Sequence, residues 1–280
     1  MKLKKLVLTG AAGRLGSYLR EPLAAMCDEL VSTDIADDIG TLYDGERYVQ
    51  ADLAKYDDIY PILEGADMVI HFGAIVDEKP FEELLGPNFV GSYNIWEAGY
   101  QHGVRRIVYA SSIHAVGMYP KRQCIDTEVP HRPDTFYGLA KCFTEDLGSM
   151  YWDKRNMESV HLRILSAAQV NNARALGSWL SYDDLIQLVT RSIETPSVGF
   201  SIIYGVSNND RAPVDNSKAS FLGYRPKDNA EQFAAEVLAE TGPVDVTDPG
   251  EMLQGGPFAK VDLGQSGLAQ MTIVDDRKET

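Results

Sequence analysis

A strand that runs straight into three glycines at spacing three is the tightest constraint on how this 280-residue chain can fold. Leu3–Thr9 reads as a buried strand, and Gly10-Ala11-Ala12-Gly13-Arg14-Leu15-Gly16 follows it directly, opening a helical stretch over 13–26. Glycine allows a tight turn and a close approach of backbone to a pyrophosphate, while the helix start offers free N–H groups and a positive dipole end. Any abrupt strand-to-helix turn favours glycine, so the turn alone says little. Asp34 adds the rest. It ends the second predicted strand, 29–34, and sits 18 residues after Gly16, where a carboxylate can accept from both hydroxyls of a ribose. No Arg or Lys lies between Asp34 and Arg47, and a 2′-phosphate would be repelled, so NAD is expected in preference to NADP.

Apolar runs and helical periods alternate through the next hundred residues. Strands are predicted at 47–50, 68–72, 106–110 and 159–164, and helices at 55–64, 81–102 and 135–154. That order predicts an α/β fold, a Rossmann doubly wound parallel sheet with a small C-terminal substrate lobe. Past Ile164 the pattern loosens into a helix at 181–194, a strand at 200–204 and a helix at 229–239. The expected organisation is a Rossmann NAD-binding core over 1–165, a lobe over 166–258 interleaved with the last sheet elements, and a tail over 259–280. From Gly242 on, Gly, Pro and Asp are frequent, which predicts an end that is loosely folded or wraps the surface.

Charge narrows the partners. With 26 basic against 41 acidic residues the formal charge is −15, which repels nucleic acid and anionic membranes. An anionic substrate would need a local cationic anchor. Cys27, Cys124 and Cys142 are odd in number and widely spaced, so neither a disulfide framework nor a zinc site is expected, and no other metal centre is. The apolar runs are too short for a membrane span and no signal-peptide pattern is present, so a cytoplasmic protein is expected.

Tyr137 and Lys141 are four apart, hence on one face of the predicted helix, and Ser111-Ser112 lies upstream, with Ser112 25 residues before Tyr137. Alone, such a pair reads as the surface of an amphipathic helix. Beside a bound dinucleotide it can move a proton while the cofactor takes a hydride. A free phenol titrates near 10 and is a poor base at neutral pH. An ammonium about 4 Å away would stabilise the phenolate by roughly 4 kcal/mol at an effective dielectric near 20, about three pKa units. Ser112 would then hold the reacting oxygen. Asp52-Leu53, at the end of the third strand, can close over an adenine edge or simply begin a loop.

These motifs, with His71-Phe72-Gly73-Ala74 and Asn88-x-x-Gly91-x-x-Asn94, resemble the extended short-chain dehydrogenase/reductase superfamily. Within it the chain looks most like the uronate dehydrogenases. That likeness is carried by Glu78-Lys79-Pro80-Phe81-Glu82, Ser112-x-His114, Tyr137-Gly138-x-x-Lys141-Cys142-Phe143, Trp179-x-Ser181-x-Asp183-Asp184, Asp215-Asn216-Ser217, Lys227-Asp228-Asn229-Ala230-Glu231 and Gln254-Gly255-Gly256. The resemblance implies NAD-dependent oxidation at C1 of a cyclic D-uronate to an aldarolactone, with Tyr137 as base, Lys141 and Ser112 beside it, and Asn88 supporting Lys141 through water. It also implies an NAD site formed by Gly10, Ala12, Gly13, Arg14, Leu15, Gly16, Asp34, Asp52, Leu53, Phe72, Gly73, Ala74, Asn88, Ala110, Tyr137, Lys141 and Ile164. The sugar would meet Val76, Ser112, Ile113, His114, Tyr137, Ser166 and Arg174, with Arg174 as carboxylate anchor. A homo-oligomer is implied by superfamily analogy, through the helices that carry Tyr93, Trp96 and Tyr100, and Phe136, Phe143, Leu147 and Tyr151.

The chain departs from the family pattern at Val76, where a serine is usual, and at Ile113, where an asparagine is. Ala167-Ala168-Gln169-Val170 lacks the family's prolines and is one residue shorter, which shifts the register leading to Arg174. Val76 and Ile113 either face the sugar or enter the core. The substrate is therefore a uronate epimer, a neutral aldose or a sugar phosphate. A nucleotide-sugar epimerase or dehydratase shares the Ser/Tyr/Lys chemistry but usually needs a bigger lobe. A non-catalytic NAD sensor would have no need of a proton-transfer group.

Overall fold

Leu6, Val7 and Leu8 are consecutive and all fully buried, so the first strand must be covered on both faces of its sheet. The computed structural model, which describes residues 2–271, supplies that cover. Seven strands, β1 (Leu3–Thr9), β2 (Cys27–Asp34), β3 (Glu46–Gln50), β4 (Met68–His71), β5 (Arg106–Tyr109), β6 (Glu158–Ile164) and β7 (Phe200–Gly205), form one sheet in the order β3-β2-β1-β4-β5-β6-β7. Every pairing is parallel; β1 pairs β2 through Leu6↔Leu30 and β4 through Leu6↔Met68. The order reverses between β1 and β4, and a crevice opens there at the carboxyl ends of the strands.

Side-chain alternation divides the core. Leu6, Leu8, Met68, Ile70, Val108 and Leu162 pack with Leu19 and Leu23 of the helix Arg14–Met26 and with Leu185 and Leu188 of the helix Tyr182–Glu194. On the other face Val7, Val69, Ile107 and Tyr109 meet Ile95 and Trp96 of the helix Gly91–Gln101, and Leu147 and Tyr151 of the helix Phe136–Arg155. Among the described residues no helix is long and apolar enough to cross a membrane.

The elements differ from expectation where proline intervenes. The stretch expected to be helical over 55–64 is a helix over Tyr56–Ile59 followed by a 3₁₀ turn, Tyr60–Leu63, with Pro61 at its start. The single helix expected over 81–102 is Phe81–Leu84, then a π-helical turn Leu85–Val90 containing Pro87, then Gly91–Gln101. Proline lacks the N–H that a regular helix needs, and a wide turn absorbs it. The C-terminal end joins the fold beyond an exposed stretch. Residues 242–247 are exposed, but Gln254 and Phe258 are buried and Pro120↔Leu253 forms an antiparallel bridge. Of the expected tail, residues 272–280 lie outside the described residues.

Candidate active site

The turn after β1 is built around contacts that admit no side chain. Gly10 has a φ of 73°, and a methyl group on it would overlap the backbone of Phe72 and Gly73. A methyl on Gly16 would overlap the Gly10 carbonyl, which is where strand and helix approach most closely. The helix Arg14–Met26 then begins with no side-chain cap and no acidic residue in its first turn. Gly13, Arg14 and Leu15 line a cavity of about 1280 Å³; the Gly13 N–H is taken by the Gly10 carbonyl at 3.0 Å, which leaves the N–H groups of Arg14 and Leu15 at the helix start to face a pyrophosphate. The volume exceeds the ~300–1,000 Å³ of a drug-sized site, so a dinucleotide fits with a second small molecule beside it.

Asp34 ties β2 to the glycine turn: Oδ2 accepts from Ala12 N at 3.0 Å and Oδ1 from Ile35 N at 2.8 Å. It also lines the cavity, as do Ala12, Gly16, Asp52, Leu53, Phe72, Gly73, Ala74, Ala110 and Ile164. Asp52 holds its own loop through Ala54 N at 2.9 Å, and Lys55 pairs with it at 3.7 Å. Asn88 does not join this wall. Its amide donates to the Ile75 carbonyl at 2.9 Å and accepts from the Ile75 N–H at 2.9 Å. The π-helical turn places this side chain on the loop after β4, and its direct bonds go to Ile75.

Thr135 caps the helix Phe136–Arg155 by accepting from Gly138 N, and the helix buries Tyr137 and Lys141 together against the sheet end. Lys141 Nζ donates to the Ala110 carbonyl at 2.7 Å and lies 5.2 Å from the centre of the Tyr137 ring. Ser112 acts on the Tyr137 hydroxyl in favour of its ionised form, and the Ser112 Oγ accepts from His114 N at 3.3 Å. Burial raises the Tyr137 phenol above its ordinary value; Ser112 opposes this, while Asp134 and Asp77 add to it. Burial also pulls the Lys141 ammonium down to about 7, with Glu145 opposing. Without the cofactor's positive charge, the protein's own groups thus leave the phenol raised, with burial the largest cause.

Glu145, one turn beyond Lys141, is buried and accepts from Ser111 Oγ at 2.5 Å, from Arg163 Nε at 3.0 Å and from Arg163 Nη2 at 2.8 Å. Burial would raise this carboxyl, but His131 at 2.7 Å and Arg163 hold it near 2.

The remaining cavity wall carries the polar groups a sugar would meet. Ser166 bridges to Trp179 through its backbone, and its hydroxyl has no partner among the described residues. Val76 is 59% exposed at the cavity mouth. Ile113 is not in the wall: it is fully buried with Val116, Ile125, Leu165 and Tyr204, which removes it from the expected sugar contacts. Arg174 is in the wall. Its Nη2 donates to the Gln254 carbonyl at 2.7 Å, and among the described residues it forms no ion pair. Burial lowers this guanidinium from its ordinary value, with Asp134 opposing.

Three features of the site were not anticipated. Gly255, Pro257, Phe258, Leu268 and Met271 line the cavity, so the C-terminal segment closes the site. Two buried acids hold it: Glu78 accepts from Tyr137 N at 2.8 Å and Gly264 N at 2.8 Å, and Asp77 from Ser266 Oγ at 2.5 Å and Leu268 N at 3.1 Å. Asp134 is the third, bonded to His114 Nδ1 at 2.8 Å. Asp134-Thr135 is a helix-start signal in sequence, but nothing there names a partner twenty residues upstream.

Known proteins are similar to this chain over most of its length. The profile of the NAD dependent epimerase/dehydratase family matches residues 6–169. The uronate dehydrogenase of Pseudomonas putida is 45% identical over 256 residues, covering 91% of this chain and 95% of the relative. A crystal structure of an uronate dehydrogenase variant from Agrobacterium tumefaciens, complexed with NAD, superposes with a TM-score of 0.88 at 41% identity, covering 93% of this chain and 98% of that one. The glucuronic acid dehydrogenase of Chromohalobacter salexigens superposes with a TM-score of 0.90 at 39% identity, covering 93% and 98%. The chain belongs to the NAD dependent epimerase/dehydratase family and, within it, to the group of the uronate dehydrogenases.

Proposed function

We propose that this chain oxidises a cyclic D-uronate at C1 with NAD, forming an aldarolactone. NAD, when bound, accepts the hydride from C1 and brings positive charge to the site. The glycine turn and the open helix start would hold its pyrophosphate, and Asp34 its adenosine ribose. Tyr137 Oη takes the proton of the C1 hydroxyl, Ser112 Oγ holds the same oxygen, and Lys141 stands behind the phenol. Glu78 supports the start of the helix that carries both, and Phe258 excludes water from above His114.

The observation that carries the substrate class is Arg174, a guanidinium on the cavity wall bonded to one backbone carbonyl and to no carboxylate among the described residues. In a chain of charge −15 such a cation suits a carboxylate substrate. A panel of uronates, aldoses and sugar phosphates followed by NADH absorbance tests the reading. We expect kcat/KM for a uronate to exceed that of the matching neutral aldose by about 100-fold, the worth of one good charged contact. A preference for an aldose or a sugar phosphate refutes the uronate assignment. NAD retained through purification with no net reduction points to an epimerase, and NAD binding with no turnover points to a sensor.

The assembly follows from exposed apolar side chains on neighbouring helices. Val90, Tyr93, Leu139, Phe143 and Met150 are all at least 37% exposed, and the Phe89 and Phe143 rings stand 5.3 Å apart. We infer a homo-oligomer formed over this face. A single-chain mass in light scattering would exclude it. Three free cysteines suit a reducing compartment, which supports a cytoplasmic location.

A further inference from the structure

A line of hydrogen bonds runs from the start of the helix Phe136–Arg155 into the sugar-facing wall. Gly138 N donates to Thr135 Oγ1 at 3.0 Å, so the proton of that hydroxyl is free to go elsewhere. It goes to Asp134 Oδ1 at 2.9 Å. Asp134 Oδ2 faces His114 Nδ1 at 2.8 Å, and the Asp134 side chain is fully buried. Methyl groups on Gly117 or Gly255 would overlap this carboxylate, so the backbone leaves room for it and little else. His114 lies on Phe258 with ring centres 4.1 Å apart, meets Tyr137 edge-on at 5.6 Å, and lines the cavity.

A carboxylate accepts hydrogen bonds and cannot donate. The neutral imidazole therefore carries its proton on Nδ1, which leaves Nε2 with a lone pair. We propose that Asp134 is a positioning residue that fixes this tautomer of His114, so that Nε2 presents an acceptor to a sugar hydroxyl beside Tyr137. The proposal rests on the reading of the cavity as a sugar site. The amide of Asp134→Asn would reverse the arrangement. Its oxygen would stay with the Thr135 hydroxyl, its NH₂ would point at Nδ1, and the ring proton would move to Nε2, where it can only donate.

Nitrogen-15 NMR of the histidine rings tests this without substrate. The chain has five histidines, and His114→Gln assigns the signal. At a pH where the ring is neutral, His114 should carry its proton on Nδ1 in the wild type and on Nε2 in Asp134→Asn. The variant should lose about tenfold or more in kcat/KM for a uronate, the worth of one hydrogen bond, and keep the wild-type Kd for NADH. In the His114→Gln background the same change should cost little more. A wild-type ring protonated on Nε2 overturns the proposal, as does a variant whose proton moves without loss of kcat/KM. If Asp134→Asn does not fold, the wild-type spectrum decides. Wild-type turnover of the sugar panel tests the sugar reading separately, because the ring spectrum needs no sugar.

Discussion

Tyr137→Phe should lower kcat by about 10³-fold, within the ~10²–10⁴ that a positioned acid–base group contributes, and leave NAD affinity nearly unchanged. The ring is buried among Leu84 and Phe258, so phenylalanine keeps the packing and loses only the hydroxyl. The electrostatics make this a demanding base. Burial holds the phenol high, and Asp134 and Asp77 push the same way, so the proton-accepting form is scarce at neutral pH. Lys141, brought to about 7 by burial, is only partly charged there and helps less than an exposed ammonium would. The wild-type kcat/KM should accordingly climb from pH 7 to 9, because a raised phenol yields its proton only on the alkaline side. Phenylalanine removes that climb. Steady-state NADH absorbance with a fluorescence titration of NADH separates the two constants. Wild-type-like turnover would dismiss Tyr137 as base.

The parts of this fold that were legible in sequence are those set by local geometry. Leu6-Val7-Leu8 needs cover on both faces, Gly10 needs a positive φ and Gly16 needs bare backbone contact, so the first strand, turn and helix follow from a few residues. The pairing of Tyr137 with Lys141 follows from helical spacing, and Asp34 from its place at the end of β2. What was not legible depends on contacts between distant segments. Ile113 could face the sugar or enter the core, and the 3₁₀ turn Ile113–Val116 settles it by rotating the side chain into a cluster with Leu165 and Tyr204. The bonds of the Asn88 amide to Ile75 depend on a π-helical turn that its motif does not announce. The segment after Gly242 is polar and Gly-rich, as a loose end would be, yet Asp77 and Glu78 pin its later part by bonds across more than 180 residues of chain. Composition carries no record of such partners. Spacing shows that an ammonium is near the phenol, and only packing shows how little water either group keeps.

Arg174→Met should raise KM for a uronate by about 100-fold, lower kcat far less, and leave KM for the matching aldose nearly unchanged. Methionine keeps the apolar stem and removes the fork, so the change isolates charge from bulk. Charged hydrogen bonds are worth about 1.5–3 kcal/mol each, and a two-pronged contact with a carboxylate loses roughly 3 kcal/mol after the cost of drying both ions. The site makes that cost small. The guanidinium is already lowered by burial and bonded to the Gln254 carbonyl at 2.7 Å, so much of its hydration is gone before a substrate arrives. Gly256, at a φ of 59°, brings bare backbone against the same side chain and holds it in place. A second cation stands behind: burial and Arg174 both pull the Lys121 ammonium below its ordinary value, and Lys121 N donates to the Met252 carbonyl at 2.8 Å. The chain as a whole carries a formal charge of −15, so a carboxylate depends on the local attraction of this wall. Initial rates against uronate and aldose concentration, measured in parallel, decide the matter. Equal rises in KM for both sugars would mean that Arg174 shapes the cavity and does not read the carboxylate.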